Sequence, residues 1–239
     1  MRLVINQSNY IPWKGYFDLI HDADVFVFYD DVQFTKNDWR NRNLVKTAAG
    51  VQWLTVPVGR DVSRRIDEVT LTDGRWQRTH WRTLEQLYGR APFFERYRPF
   101  LSSVYLEREW RSLSVLNQTL IRWVAGELEI DTRFVHSHEL GAEGTGAERV
   151  LSIARALGAS EYLSGPAGRA YLDPPAFAEA GIALTWKKYD GYPEYAQFHP
   201  PFQHAVTVLD VLFHVGPRAS EHIWGWRETA SQRGQSRAI

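Results

Sequence analysis

The sequence predicts an α/β fold: a mostly parallel sheet of βαβ units with a helical insertion in the middle of the chain. Three observations carry this reading. An apolar run at residues 3–5, a helical apolar face (Tyr16, Phe17, Leu19, Ile20) and a second apolar run at 25–29 follow one another within the length of a βαβ unit. Between 76 and 123 the apolar spacing changes to that of helices. Beyond 133, short apolar runs alternate with helical patterns once more.

Taken in order, residues 2–6 form the first strand and end at Gln7-Ser8-Asn9, where Ser8 or Asn9 can cap a helix and Pro12 suits its first turn. Residues 25–29 form a buried strand stopped by Asp30-Asp31, parallel to the first through a right-handed crossover. The stretch 35–43 is polar and reads as loop. Residues 51–56 alternate like a strand and 69–71 like a shorter one. Trp81, Leu84, Leu87 and Tyr88 fit one helix. Tyr105, Trp110, Leu113, Leu116, Leu120 and Trp123 suggest two more, which places the insertion at about 75–127. A strand at 133–135, a polar loop at 137–145 and a helix at 146–157 follow. Short strands at 162–163 and 182–186 and a helix at 206–213 complete the pattern. With no internal repeat or low-complexity linker, residues 1–227 are expected to form one domain and 228–239 a polar, frayed tail.

Lys plus Arg and Asp plus Glu both number 28, so no global field exists to hold a nucleic acid. The basic residues are 23 Arg and 5 Lys, a bias that suits bidentate recognition of phosphate or carboxylate. The absence of Cys excludes thiol nucleophiles, disulfides and thiolate zinc sites. The opening residues lack the shape of a signal peptide, and no stretch approaches the ~20 apolar residues of a membrane helix. The expected location is the cytoplasm, with no membrane span.

Three segments carry a resemblance. The first is Gln7-Ser8-Asn9-Tyr10-Ile11-Pro12-Trp13-Lys14-Gly15-Tyr16-Phe17. The second runs from Asp24 through Tyr29-Asp30-Asp31-Val32-Gln33-Phe34-Thr35-Lys36 to Trp39, Arg40-Asn41-Arg42-Asn43 and Trp53-Leu54-Thr55-Val56-Pro57-Val58. The third is Tyr162-Leu163-Ser164-Gly165-Pro166-Ala167-Gly168-Arg169-Ala170-Tyr171-Leu172, followed by Leu209-Asp210-Val211-Leu212-Phe213-His214-Val215-Gly216. Together they resemble the WbqC-like family of bacterial polysaccharide and natural-product gene clusters. Ser8 stands where that pattern has Pro, Arg169 where it has Lys and His214 where it has Asn. The resemblance implies an enzyme that attaches an aminoacyl or acyl group to an amino sugar or similar amine.

The residues themselves suggest where such chemistry would sit. Loop 30–43 follows an apolar strand and holds Asp30, Asp31, Gln33, Lys36, Asp38, Arg40, Asn41, Arg42 and Asn43; ligands of open α/β sheets bind beyond the carboxyl ends of strands. Asp30 is a candidate general base, and Lys36 with Arg40 or Arg42 is a candidate anion or oxyanion clamp. The alternative is a solvated hairpin with surface ion pairs. Gln7, Asn9 and Tyr10 share that rim, where Gln7 and Asn9 can read a sugar or amide. Ser164, Gly165 and Arg169 form a small-residue turn that admits close approach of a ligand and a phosphate grip.

Asp210 interrupts an apolar helix and His214 lies one turn on; they can hold a proton acceptor or merely lock the helix. The eight His residues show no metal-ligand spacing, so neither metal nor cofactor is called for. The aromatic stripes at 76–81, 105–110 and 224–226 read as core before carbohydrate platforms. Arg78, Arg82, Arg90, Arg96 and Arg98 read as a solvated face, with docking of an acidic carrier protein as the alternative.

The leading expectation is amide formation by transfer of an aminoacyl or acyl group, with a carrier-protein thioester as one candidate donor, onto an amine such as a nucleotide-linked amino sugar or natural-product intermediate. The alternatives are a nucleotide-dependent transferase or ligase, with 7–10 and 164–169 cradling phosphates, and a non-catalytic partner in polysaccharide or natural-product assembly.

Overall fold

The computed structural model describes residues 1–71 and 73–227. Its strands are β1 (Arg2–Asn6), β2 (Val25–Phe28), β3 (Arg42–Thr47), β4 (Gly50–Thr55), β5 (Arg133–His136), β6 (Glu161–Ser164) and β7 (Ala183–Trp186). Five of them form one sheet in the order β5-β2-β1-β6-β7, and each neighbouring pair is parallel. The expected α/β architecture is therefore present. The tail expected at 228–239 lies outside the described residues.

Alternation along the strands divides the interior in two. Leu3, Ile5, Val25 and Val27 pack on one face against α5 (Gly146–Ala156) and α6 (Pro174–Glu179). Val4, Phe26 and Phe28 point the other way, into a larger aromatic core. That core is covered by α1 (Lys14–His21), α2 (Arg75–Tyr88), α3 (Phe94–Ser102), α4 (Leu113–Glu127) and α7 (Val208–Val215). The inserted helices thus cover one face of the sheet and extend its core. Trp76, Trp81 and Trp224 are buried there, which accounts for most of the aromatic stripes as packing.

Several local expectations need correction. Residues 42–47 are strand, because Arg42–Thr47 pairs antiparallel with Gly50–Thr55 around Gly50, whose φ is 119°. Asn43, one of the polar residues that suggested a loop, is buried on the same side of the strand as Val45. Residues 69–71 contribute only an isolated bridge between Thr70 and Ser112. Helix α1 starts at Lys14, and its N-cap is Trp13 without a side-chain cap; Ser8 and Asn9 lie too far upstream to serve. Tyr105 lies in a π-turn at Ser103–Glu107, and Trp110 follows it outside any helix, its indole donating to the Val104 carbonyl at 2.8 Å. Pro174–Glu179 is a helix that the apolar spacing did not announce.

Candidate functional site

Because β2, β1 and β6 are parallel, the segments beginning at Tyr29, Gln7 and Gly165 leave the sheet on one edge. In order of appearance the five strands run third-second-first-fourth-fifth, so the direction of winding reverses between β1 and β6. Such reversal points open a ligand crevice beyond the strand ends.

The loop leaving β1 there is under strain. Ile11 has φ 36°, in the left-handed region that a β-branched residue avoids. Neighbouring segments hold it from several sides. The Asn43 amide donates to the carbonyls of Tyr10 (3.1 Å) and Ile11 (3.0 Å). The Tyr10 N–H donates to the Trp39 carbonyl at 2.9 Å, and the Ser8 N–H to Asp30 Oδ1 at 2.7 Å. From α4, the Asn117 amide donates to the carbonyls of Ser8 (3.3 Å) and Arg40 (2.8 Å). The Tyr10 hydroxyl lies 2.8 Å from His80 Nδ1 and 2.6 Å from the Tyr105 hydroxyl. Burial pushes the His80 imidazole down to about 4 and lifts both phenols, so this chain is neutral at ordinary pH. A strained loop held in this way is fixed in one conformation rather than free to adapt.

Beside it opens a cleft of about 320 Å³ lined by Asn9, Pro12, Trp13, Trp39, Asn43 and Ala205. Asn9 Oδ1 is buried and has no donor. Trp39 is 42% exposed, its ring 5.4 Å from that of Trp53, and the Arg42 guanidinium stacks 4.0 Å from the Trp53 centroid. Near these, Arg40 donates to Gln7 Oε1 and, at 2.6 Å, to Asp38 Oδ2. Gly15 is required by the same geometry: a Cβ there would meet the Trp13 ring at 2.3 Å.

The remaining sequence-derived candidates are placed as follows. Asp30 is buried; Oδ1 accepts from Ser8, and Oδ2 accepts from Ser114 and from Gln118 at 2.8 Å. Asp31 pairs with Ser137 and Arg149. The Asn41 amide donates to the Val56 carbonyl at 3.0 Å, whereas Gln33 and Lys36 are exposed. Ser164 is buried with its hydroxyl 3.1 Å from the Gly165 carbonyl, and exposed Arg169 lies over Trp186 at 4.7 Å.

Asp210 is fully buried. Its carboxylate accepts from Tyr195 (2.6 Å), Gln197 (2.8 Å) and Tyr88 (3.1 Å). His214 Nδ1 lies 2.7 Å from the Asp210 carbonyl, and its Nε2 accepts from the Phe198 N–H at 3.2 Å. The expectation of a substrate-facing carboxylate at Asp30 or Asp210 is therefore revised: both are turned inward, their oxygens taken by donors from other segments. Among the described residues no three His, Asp or Glu side chains gather as metal ligands.

Reading the sequence missed Trp13, Trp39, Asn117, His80 and Tyr105 as parts of this constellation. Asn117 carries the one usable signal, an amide buried on the apolar side of a helix, the same signal that marked Asp210.

The fold and this edge belong to a defined class of chains. A family model described as the WbqC-like protein family matches residues 7–222, and the chain belongs to that family. It is similar to a protein of Mycobacterium tuberculosis named "Uncharacterized protein Rv1507c", at 44% identity over 226 residues, 93% of this chain and 97% of the relative. No solved structure matches it. Among the described residues no helix is long and apolar enough to cross a membrane.

Proposed function

We propose that the chain forms an amide by transferring an aminoacyl or acyl group onto an amine-bearing acceptor held in the cleft between the β1 loop and the β3–β4 hairpin. The observation that carries this reading is Asn9: a residue lining the cleft, in a loop clamped against movement, whose amide oxygen is buried without a donor. An unmet buried acceptor is costly, about 1–3 kcal/mol, and an N–H of the acceptor amine would meet it. Trp13 and Trp39 supply apolar walls and exclude water.

In the step itself the amine lone pair attacks the acyl carbonyl, the oxyanion forms, and the leaving group departs with the proton the amine loses. With a carrier thioester the products are amide and thiol, so no protein carboxylate has to become protonated. Arg40, steadied by Gln7 and Asp38, is assigned to the oxyanion or to an anionic part of the substrate, with Lys36 and Arg42 as outer cations. Asp30, Asn43 and Asn117 act as positioning residues. Asp210 orders the segment that brings Ala205 to the cleft.

The sheet order supports a second reading, a nucleotide-dependent transferase or ligase, because its reversal point is where nucleotides bind in doubly wound sheets. Calorimetric titration with a nucleotide-linked amino sugar and with its analogue bearing hydrogen in place of the amine separates the two. The first reading expects at least about tenfold tighter binding of the amine, lost in Asn9→Leu. Equal affinities, indifferent to Asn9, would leave the second.

A further inference from the structure

Lys14 is the first residue of α1 and directly follows Pro12 and Trp13 of the cleft wall. Its side chain is buried, with 3% exposure, and Nζ has no hydrogen-bond partner. Three ring centroids surround that nitrogen: Tyr192 at 5.0 Å, Tyr195 at 5.5 Å and Phe202 at 5.6 Å. The two phenol hydroxyls are committed elsewhere, donating to Asp18 and Asp210 at 2.6 Å each, so Nζ faces ring surface. An interior lysine kept only for stability would be expected to have an ion-pair or hydrogen-bond partner, as Lys187 has in Asp18 at 2.9 Å and Asp22 at 2.5 Å.

We propose that Lys14 is a nucleophilic amine that condenses with a small uncharged aldehyde or ketone. The overall step converts the lysine ammonium and the carbonyl compound into a protonated imine and water. The ammonium first releases a proton; the neutral amine adds to the carbonyl carbon and one nitrogen proton passes to the alkoxide oxygen, giving a neutral carbinolamine. A proton equivalent to the one released is then taken up by the hydroxyl, which leaves as water while the nitrogen lone pair forms the C=N bond. No oxidant or cofactor is required.

The surroundings suit each stage. Burial pushes the amine down to about 8, against the pull of Asp210 and Glu194. Relative to an ordinary lysine near ~10.4, the neutral form is about 10²-fold more abundant at neutral pH. The same two carboxylates and the three ring faces then favour the cationic imine. They also disfavour anionic carbonyl compounds, which is why the ligand is assigned as uncharged. The segment 187–206 forms no helix or strand and supplies all three rings; it is the cover that a carbonyl compound has to pass. Glu194, His199, His204 and Ala205 of that segment are exposed.

The test needs no substrate of the proposed transfer. The full chain is incubated at pH 7.5 with acetaldehyde and sodium cyanoborohydride, which reduces the protonated imine to a stable secondary amine. The rate of ethylation at each lysine is then read by peptide mass spectrometry. Lys14 is expected to label at least about tenfold faster than exposed Lys36 and Lys188, with the fast phase absent in Lys14→Met and, as a second replacement that preserves charge, in Lys14→Arg. Labelling of Lys14 at or below the rate of Lys36 and Lys188 in the wild-type chain overturns the assignment whether or not either variant folds.

Discussion

Acidification should loosen the β1 loop through His80. Its imidazole is buried, 2.8 Å from the Tyr10 hydroxyl, and burial lowers its folded value to about 4 from 6.5, a drop partly offset by a backbone hydrogen bond at Thr55. Between these values the unfolded chain binds a proton that the folded chain refuses. Stability from this group is complete above about 6.5, falls as the pH is lowered towards 4, and is constant again below. At 1.36 kcal/mol per unit, the loss across that window is about 3 kcal/mol. Carboxylates also titrate there, so His80→Asn supplies the reference: it keeps an acceptor near Tyr10 and cannot charge. Urea unfolding of both proteins at several values from pH 7.5 to 4.5 gives the difference directly. The wild type should lose more stability than the variant, most of it below about pH 6. Parallel curves would show that His80 is not held neutral, and the argument that a neutral hydroxyl–imidazole chain pins Tyr10 would fail.

Other perturbations separate positioning from surface roles. Asp210→Asn presents an NH2 group to a site filled by Tyr88, Tyr195 and Gln197 donors, so unfolding free energy should drop by about 3 kcal/mol; an unchanged denaturation midpoint would contradict its inward assignment. Asn43→Ala strips the Tyr10 and Ile11 carbonyls of their donor and should cost about 2 kcal/mol or more, with weaker ligand binding measured by calorimetry at a temperature where the variant is folded. Lys36→Ala should change stability by no more than about 0.5 kcal/mol, because the side chain is exposed, while weakening affinity for an anionic substrate in a salt-dependent way.

The sheet was legible because its strands are short apolar runs with few competing readings, and buried Val and Phe at 25–28 fit nothing else. Of the hairpin, β4 was legible in the alternation at 51–56, but β3 was not, because Arg42 and Asn43 look like loop until Asn43 is seen to spend its amide on the β1 loop. Asp210 was correctly marked as an anomaly in an apolar helix, but burial alone does not say whether a carboxylate faces a pocket or partners. Those partners, Tyr195 and Gln197, come from a segment without periodicity, so no pattern pointed to them. Trp13 and Trp39 stand in the segments that carry the family resemblance, but that they meet Ala205 in one cleft was hidden, because packing across 192 positions, from 13 to 205, is encoded by no local signal.

The central claim is that the cleft beside the strained β1 loop takes the amine of an acceptor on Asn9. A crystal structure with a bound uridine-diphosphate-linked amino sugar tests it most directly. Density for the ligand between Trp13 and Trp39, with the amine nitrogen within about 3.2 Å of Asn9 Oδ1, is the predicted result. Ligand bound elsewhere on the chain at saturating concentration, with the cleft empty, would contradict it.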